Sequence, residues 1–211
     1  MNKLPKFFFN VLLVICLLSI ILISFQYGFI ATIPMVFYLF WVLSELYVSK
    51  RDGRHASGEV DNSTVIVYSY GRMSHIFVTV IVFLFFSSGG IRGIQYLMLG
   101  TSLIILGALI RKIAITTLGK HYSHLIDIKR DHQIVQKGIY KFIRHPAYTG
   151  MIIASIGLSS AYFSISSFLF LLLVLVPSIM FRIHFEETAL KKLKGYEEYS
   201  LKVKRLIPFI Y

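Results

Sequence analysis

Acidic residues are scarce in this chain, ten against twenty-two Lys and Arg, and charge of both signs makes up only 15% of 211 residues. Soluble domains carry about 25% charge, whereas this sequence is 56% hydrophobic with a mean hydropathy of +0.70. That composition excludes an ordinary water-soluble fold and makes the bilayer the expected solvent. Cysteine is nearly absent. The single Cys16 lies in an apolar run, so it has no intramolecular disulfide partner and no multi-cysteine metal site to join. Thiol redox chemistry is excluded with it. Gly-x-Gly-x-x-Gly is missing, which removes the usual dinucleotide fingerprint. No aromatic-glycine motif for stacking bases is present either. The net charge of +12 is therefore read first as membrane topology, not as nucleic-acid affinity.

What the sequence does contain is a series of apolar runs. Residues 7–25 are long enough to cross the hydrocarbon core and follow Lys3 and Lys6. A cleaved signal peptide is the rival, but Ser24-Phe25-Gln26-Tyr27 lacks the small-x-small pattern of a cleavage site. Residues 28–46 return across a tight turn, with Pro34 as a tolerated kink and Glu45 near the interface. Residues 47–71 are polar and glycine-punctuated, and read as a solvated loop with one short apolar stretch, 65–68. Residues 73–88 form a third span, Ser87-Ser88-Gly89-Gly90 a turn, and 94–110 a fourth span. Gly93, Gly100 and Gly107 recur every seven residues in it, so another helix can pack closely against that face.

Residues 111–147 are polar and basic. Two further apolar segments, 148–162 and 165–181, are separated around Phe163-Ser164 and read either as two full crossings or as a tilted hairpin. A charged tail, 182–211, follows. The expected fold is an all-α integral membrane protein with about six transmembrane helices and a cytoplasmic cap formed by 111–147 and the tail. With both termini cytoplasmic, every Lys and Arg except Arg92 falls on one side, which accounts for the net charge and for attraction to lipid head groups. Nucleic acid drops out as a partner. The spans contain almost no polar residues, which argues against a transporter.

Ionisable residues crowd beside the membrane in two stretches, 118–148 and 181–205, and chemistry is expected there. His121 and His124 form a lone pair without the further histidine clusters that a di-iron membrane site requires, so no metal is expected. Arg182 and Glu186, four residues apart, share a helical face, while Glu187 points elsewhere. Such a pair is as often a plain intrahelical salt bridge, and its place at the membrane end of a span is what favours function. Lys191, Lys192, Lys194, Lys202, Lys204 and Arg205 read as a lipid-facing basic surface. Tyr196 and Tyr199 read as interfacial packing, Gly119 and Gly138 as turns, and Gly150 as a close helix contact. Pro146 disfavours helical geometry at His145 and suits the first turn of a following helix, an end fit for a carboxylate.

These elements together, His132-Gln133-Ile134-Val135, Gly138-Ile139-Tyr140, Arg144-His145-Pro146-Ala147-Tyr148, and Arg182 with Glu186-Glu187, Leu190, Gly195 and Tyr199, resemble the isoprenylcysteine carboxyl methyltransferase family and its bacterial and archaeal relatives. The resemblance runs over about 118–209 within a methyltransferase-like region, 97–211, of a single membrane domain, 1–211. Residues 1–96 match only in being hydrophobic. The resemblance implies an S-adenosylmethionine site contacted by His132, Gln133, Ile134, Val135, Tyr140, His145, Pro146, Ala147, Tyr148 and Glu186. It implies Arg182 and Glu186 as catalytic, with Arg182 on the acceptor side, and a lipophilic or prenylated acceptor reached from the bilayer. Independently, a sulfonium nucleotide suits carboxylate, imidazole and aromatic walls. A carboxylate acceptor is ionised near neutrality and needs an orienting cation more than a base. The related phospholipid or small-molecule N- and O-methyltransferases, and sterol-reductase-type enzymes using NADPH, remain the alternatives.

Overall fold

The computed structural model describes residues 3–52, 59–86, 92–122 and 134–208. Helix α1 (Lys3–Tyr27) turns at Gly28, whose positive φ of 80° lets the chain reverse in one residue, into α2 (Phe29–Asp52). Helix α3 spans Glu59–Phe86 and α4 spans Ile94–Leu118. After a 3-10 turn at Gly138–Lys141 come α5 (Pro146–Ala161), α6 (Ile165–Phe170), one π turn (Leu171–Leu175), α7 (Val176–Leu190) and α8 (Tyr196–Lys202). Pro177 lacks the N–H that would continue a regular ladder, and the widened turn sits immediately before it. Among the described residues there is no named strand, only a parallel bridge between Ile143 and Lys204. Four helices are long and apolar enough to cross a membrane, covering Phe7–Tyr27, Ser63–Phe86, Ile94–Leu118 and Ile165–Leu190, with a shorter apolar helix at Phe29–Glu45.

The largest departure from the sequence reading is the stretch 47–71. Helices α2 and α3 absorb nearly all of it, to Asp52 and from Glu59, and glycine did not break the helix. Gly71 is needed inside it: a Cβ there would meet Ser178 Oγ of α7 at 2.5 Å, so the residue that reads as punctuation is a contact point. The polar turn around Ser87 to Gly90 lies outside the described residues.

Helices α4 and α5 meet along matched glycines. A Cβ on Gly100 would lie 2.5 Å from the Gly157 carbonyl oxygen and the Ala161 Cβ, and one on Gly150 would lie 2.5 Å from the Gly107 carbonyl oxygen. Gly100 and Gly107 thus pair with Gly157 and Gly150, seven residues apart on each helix, so the backbones approach without intervening side chains. Gly93 does not join them; it precedes α4 at φ 155°, with the Gln95 side chain occupying the space over it. A Gly100→Leu variant should be destabilised by about 3 kcal/mol through overpacking. The shift in denaturation midpoint in detergent, set against a lipid-facing Leu109→Ala control, measures it.

Buried residues such as Met35, Tyr38, Ile76, Phe83, Met151 and Leu158 fill the centre of the bundle. Phe25, Phe40, Phe85, Phe86, Leu172 and Leu173 are exposed, as side chains facing acyl chains would be. The centre is not purely apolar. His75 Nε2 shares hydrogen bonds with Ser159 Oγ (3.0 Å) and Ser167 Oγ (3.3 Å), and Thr79 bonds Ser167, all four side chains buried. The expectation of spans nearly free of polar groups was incorrect. Serine and threonine hydroxyls are small enough to escape a hydropathy reading and still bond across helices.

Candidate functional site

The chain enters the site through irregular, half-buried Ile134 and Val135 and the Gly138–Lys141 turn, where Gly138 takes φ 58°. His145 has non-helical dihedrals, φ −123° and ψ 55°, and α5 starts at Pro146, as the proline demands. The C-terminal tail then fastens this entry. Backbone N–H groups of Arg144 and His145 donate to the carbonyls of Lys204 (2.8 Å) and Arg205 (2.9 Å), and Thr149 Oγ1 donates to the Leu206 carbonyl (2.8 Å). Tyr199 Oη donates to the Tyr140 carbonyl at 2.7 Å. Burial pushes the Tyr199 hydroxyl up to about 12 and raises Tyr140 further, so both remain neutral.

Helix α7 brings its polar end to the same place. Arg182 Nε donates to Tyr148 Oη (2.8 Å), and that hydroxyl donates to Glu186 Oε2 (2.9 Å), so Tyr148 links the cation to the carboxylate. Glu186 Oε1 lies 3.9 Å from His145 Nδ1, with its side chain 32% exposed. Arg182 Nη1 reaches Thr64 Oγ1 on α3 (3.2 Å), and its guanidinium stands 5.8 Å from the centre of the Tyr68 ring. Arg182, Glu186, His145 and Tyr148 therefore converge, with buried Tyr140 and Pro146 and half-buried Ala147 in the adjoining wall. His132 and Gln133 lie outside the described residues, as does His124.

Two buried charge clusters support this convergence, and neither carries an assignment from sequence. Glu187 does point away from Arg182, but its carboxylate is saturated. It accepts from His145 Nε2 (3.1 Å) and Arg205 Nε (3.0 Å), and pairs with Arg144 Nη2 (3.2 Å) and Arg205 Nη2 (2.9 Å). Arg205 is thus an internal tie between tail and helix, which corrects its reading as part of a lipid-facing basic surface. Its side chain is 36% exposed, but its guanidinium is held by a carboxylate that is only 6% exposed.

The second cluster lies deeper. Glu45 on α2 accepts from Arg111 Nε on α4 and pairs with Arg72 Nη1 on α3 (3.1 Å), and Arg72 lies over Trp41 (4.7 Å) and Tyr38 (5.5 Å). Arg111 Nη1 also donates to the Ala147 carbonyl (3.2 Å), which couples this cluster to the first turn of α5. Arg72 and Arg111 read from sequence as loop cations beside the membrane, yet both are buried within helices. A signal existed. Thr64, Tyr68, Arg72, His75 and Thr79 recur at helical spacing on one face, concealed by treating 47–71 as loop.

Comparison with known proteins bears on the same region. A profile of the isoprenylcysteine carboxyl methyltransferase (ICMT) family matches residues 98–192, reaching back into α4 and ending before α8. Protein-S-isoprenylcysteine O-methyltransferase B of Arabidopsis thaliana is 37% identical over 115 residues, covering 53% of this chain and 58% of that protein. The Saccharomyces cerevisiae protein-S-isoprenylcysteine O-methyltransferase is 37% identical over 116 residues, covering 53% and 48%. The chain thus matches about half the length of these relatives. A solved structure, described as the eukaryotic intramembrane Ras methyltransferase ICMT without a monobody, aligns with a TM-score of 0.48 at 22% identity, over 100% of this chain and 88% of that one.

Proposed function

We propose, from the premise that residues 98–192 carry the sequence of the isoprenylcysteine carboxyl methyltransferase family, that this chain is a membrane enzyme methylating a carboxylate on a lipophilic, prenylated-cysteine-like acceptor. The observation that carries the reading is the convergence of Arg182, Tyr148, Glu186 and His145 at the polar end of α7. S-adenosylmethionine supplies an electrophilic methyl on a sulfonium, and its transfer to a carboxylate oxygen leaves an ester and S-adenosylhomocysteine. The residues present fit that group: a partly exposed carboxylate, an imidazole at a helix start and aromatic walls suit a cationic nucleotide.

Each residue then has a positioning task. His145, Pro146, Ala147, Tyr148, Tyr140 and Glu186 hold the cofactor, joined by Ile134 and Val135 and by His132 and Gln133. Arg182 presents a planar fork that orients the acceptor carboxylate, and Tyr148 fixes that fork through its Nε. Direct displacement needs no enzyme nucleophile, so the gain comes from alignment and exclusion of water. The chain is read as one domain, 1–211, with 97–211 as the methyltransferase region and 111–147 with the tail as a cap on the cytoplasmic face. Both termini lie on that face, α2 and α5 complete six apolar segments, and the acceptor enters laterally. Helix α5, at about 24 Å, is shorter than the roughly 30 Å hydrocarbon core, which supports a tilted hairpin with α6.

Arg182→Ala should abolish turnover while sparing cofactor binding. Glu186→Ala and His145→Ala should each weaken S-adenosylhomocysteine binding by about ten- to a hundredfold, the worth of a charged hydrogen bond. Calorimetric titration of the full chain in detergent reads this, and unchanged affinity in both of the latter variants would remove the pocket. Methyl-labelled cofactor should yield base-labile label, as an ester does. A chain that binds NADPH and ignores S-adenosylhomocysteine is a reductase instead.

A further inference from the structure

Two buried polar atoms on α3 have no hydrogen-bond partner among the described residues, Arg72 Nη2 and Tyr68 Oη, and the Tyr68 ring stands beside the Arg182 guanidinium. Both side chains belong to α3, one helical turn apart, in the row that begins with Thr64, which already accepts from Arg182. Tyr68 places its ring against Arg182 (5.8 Å) and against Tyr148, with ring centres 6.3 Å apart, and its hydroxyl interacts electrostatically with Arg72, Arg111 and Tyr148. The phenol therefore stands between the site described above and the Glu45 cluster.

Among the described residues the charge there does not balance. Among the described residues, Glu45 is the carboxylate that contacts Arg72 and Arg111, so two guanidinium groups share one anion in a water-poor interior. Arg72 is 6% exposed and cannot reach solvent to relieve this. A water molecule could bond the orphaned atoms but would leave the charge excess in place. A ligand carrying negative charge answers both.

We propose that Arg72 Nη2 and Tyr68 Oη form a carboxylate-binding subsite, one helical turn beyond the Thr64 that meets the Arg182 fork, built by the N-terminal helices and lying outside the 98–192 match. The subsite takes a carboxylate on a lipophilic acceptor or the carboxylate of the cofactor's amino-acid head, and in naming these two sources it rests on the methyl-transfer reading. The guanidinium supplies the charge and the phenol the second donor.

The test uses the full chain in lipid nanodiscs with three probes: a farnesyl thioether carboxylic acid, its methyl ester, and S-adenosylhomocysteine. Wild type should bind the acid more tightly than the ester. Tyr68→Phe keeps the ring and its packing and should reduce acid affinity about tenfold, and Arg72→Gln about a hundredfold, with ester affinity unchanged. If S-adenosylhomocysteine affinity falls instead, the subsite holds the cofactor's carboxylate. Acid and S-adenosylhomocysteine affinities within twofold of wild type in Tyr68→Phe and in a folded Arg72→Gln overturn the proposal. So does a Tyr68→Phe without effect if Arg72→Gln fails to fold. An acid preference that is present in wild type, lost in the variants, and unaccompanied by methyl transfer would keep the subsite and end the methyltransferase reading.

Discussion

Glu45→Ala is expected to destabilise the protein by about 3–5 kcal/mol, because removing one partner of a buried ion pair leaves the other uncompensated, and here two partners depend on it. Arg72 and Arg111 would face each other across α3 and α4 without the α2 carboxylate, whose side chain is 11% exposed. The denaturation midpoint in detergent reads the effect. Adding Arg72→Met to Glu45→Ala should recover part of the loss, since one of the stranded cations is then gone. A Glu45→Ala protein unfolding at the wild-type midpoint would mean that water reaches these charges. Because Arg111 also holds the Ala147 carbonyl, the variant should in addition loosen the start of α5 and raise the dissociation constant for S-adenosylhomocysteine.

Glu187→Ala is expected to cost a similar amount but to fail in a different place. Its carboxylate joins Arg144 and His145 on the chain entering α5 to Arg205 in the tail, so its loss strands two guanidinium groups and frees the imidazole. The tail should then detach. Limited proteolysis should cut within 191–208 faster than in wild type, and cofactor affinity should fall about a hundredfold as His145 loses the carboxylate that orients it. Glu187→Gln, which can still accept from Arg205, should fall between. Glu186→Ala gives the contrast: its carboxylate is partly exposed and faces the site, so binding should weaken with little change in midpoint. If the two alanine variants behave alike in both assays, this division of roles is wrong.

Several features of the fold are legible in the sequence. The apolar runs were continuous enough to mark α1, α4 and the 165–181 segment, which the structure carries on to Leu190, and Gly28 and Pro146 marked where helices turn and begin, because their backbones permit little else. The Gly100 and Gly107 repeat announced a close helix partner, though not which one. Arg182 and Glu186 were legible as a pair through helical spacing, yet the hydroxyl that links them comes from Tyr148, 34 residues from one and 38 from the other. Gly93 and Arg205 were misread for one reason: a glycine's register and a cation's partner depend on what lies opposite.

By itself, the sequence determined that the chain is helical and apolar and where its glycines and prolines bend it, which follow from solvent preference and local backbone sterics; its candidate cofactor residues rested on a family resemblance. Tertiary structure alone decided that Glu45 meets Arg72 and Arg111 and that Glu187 joins three segments. It also decided that two donors within the row on α3, Tyr68 Oη and Arg72 Nη2, have no partner among the described residues. A buried charge is tolerable only beside its counter-charge, and that neighbour is set by how helices far apart in the chain pack together.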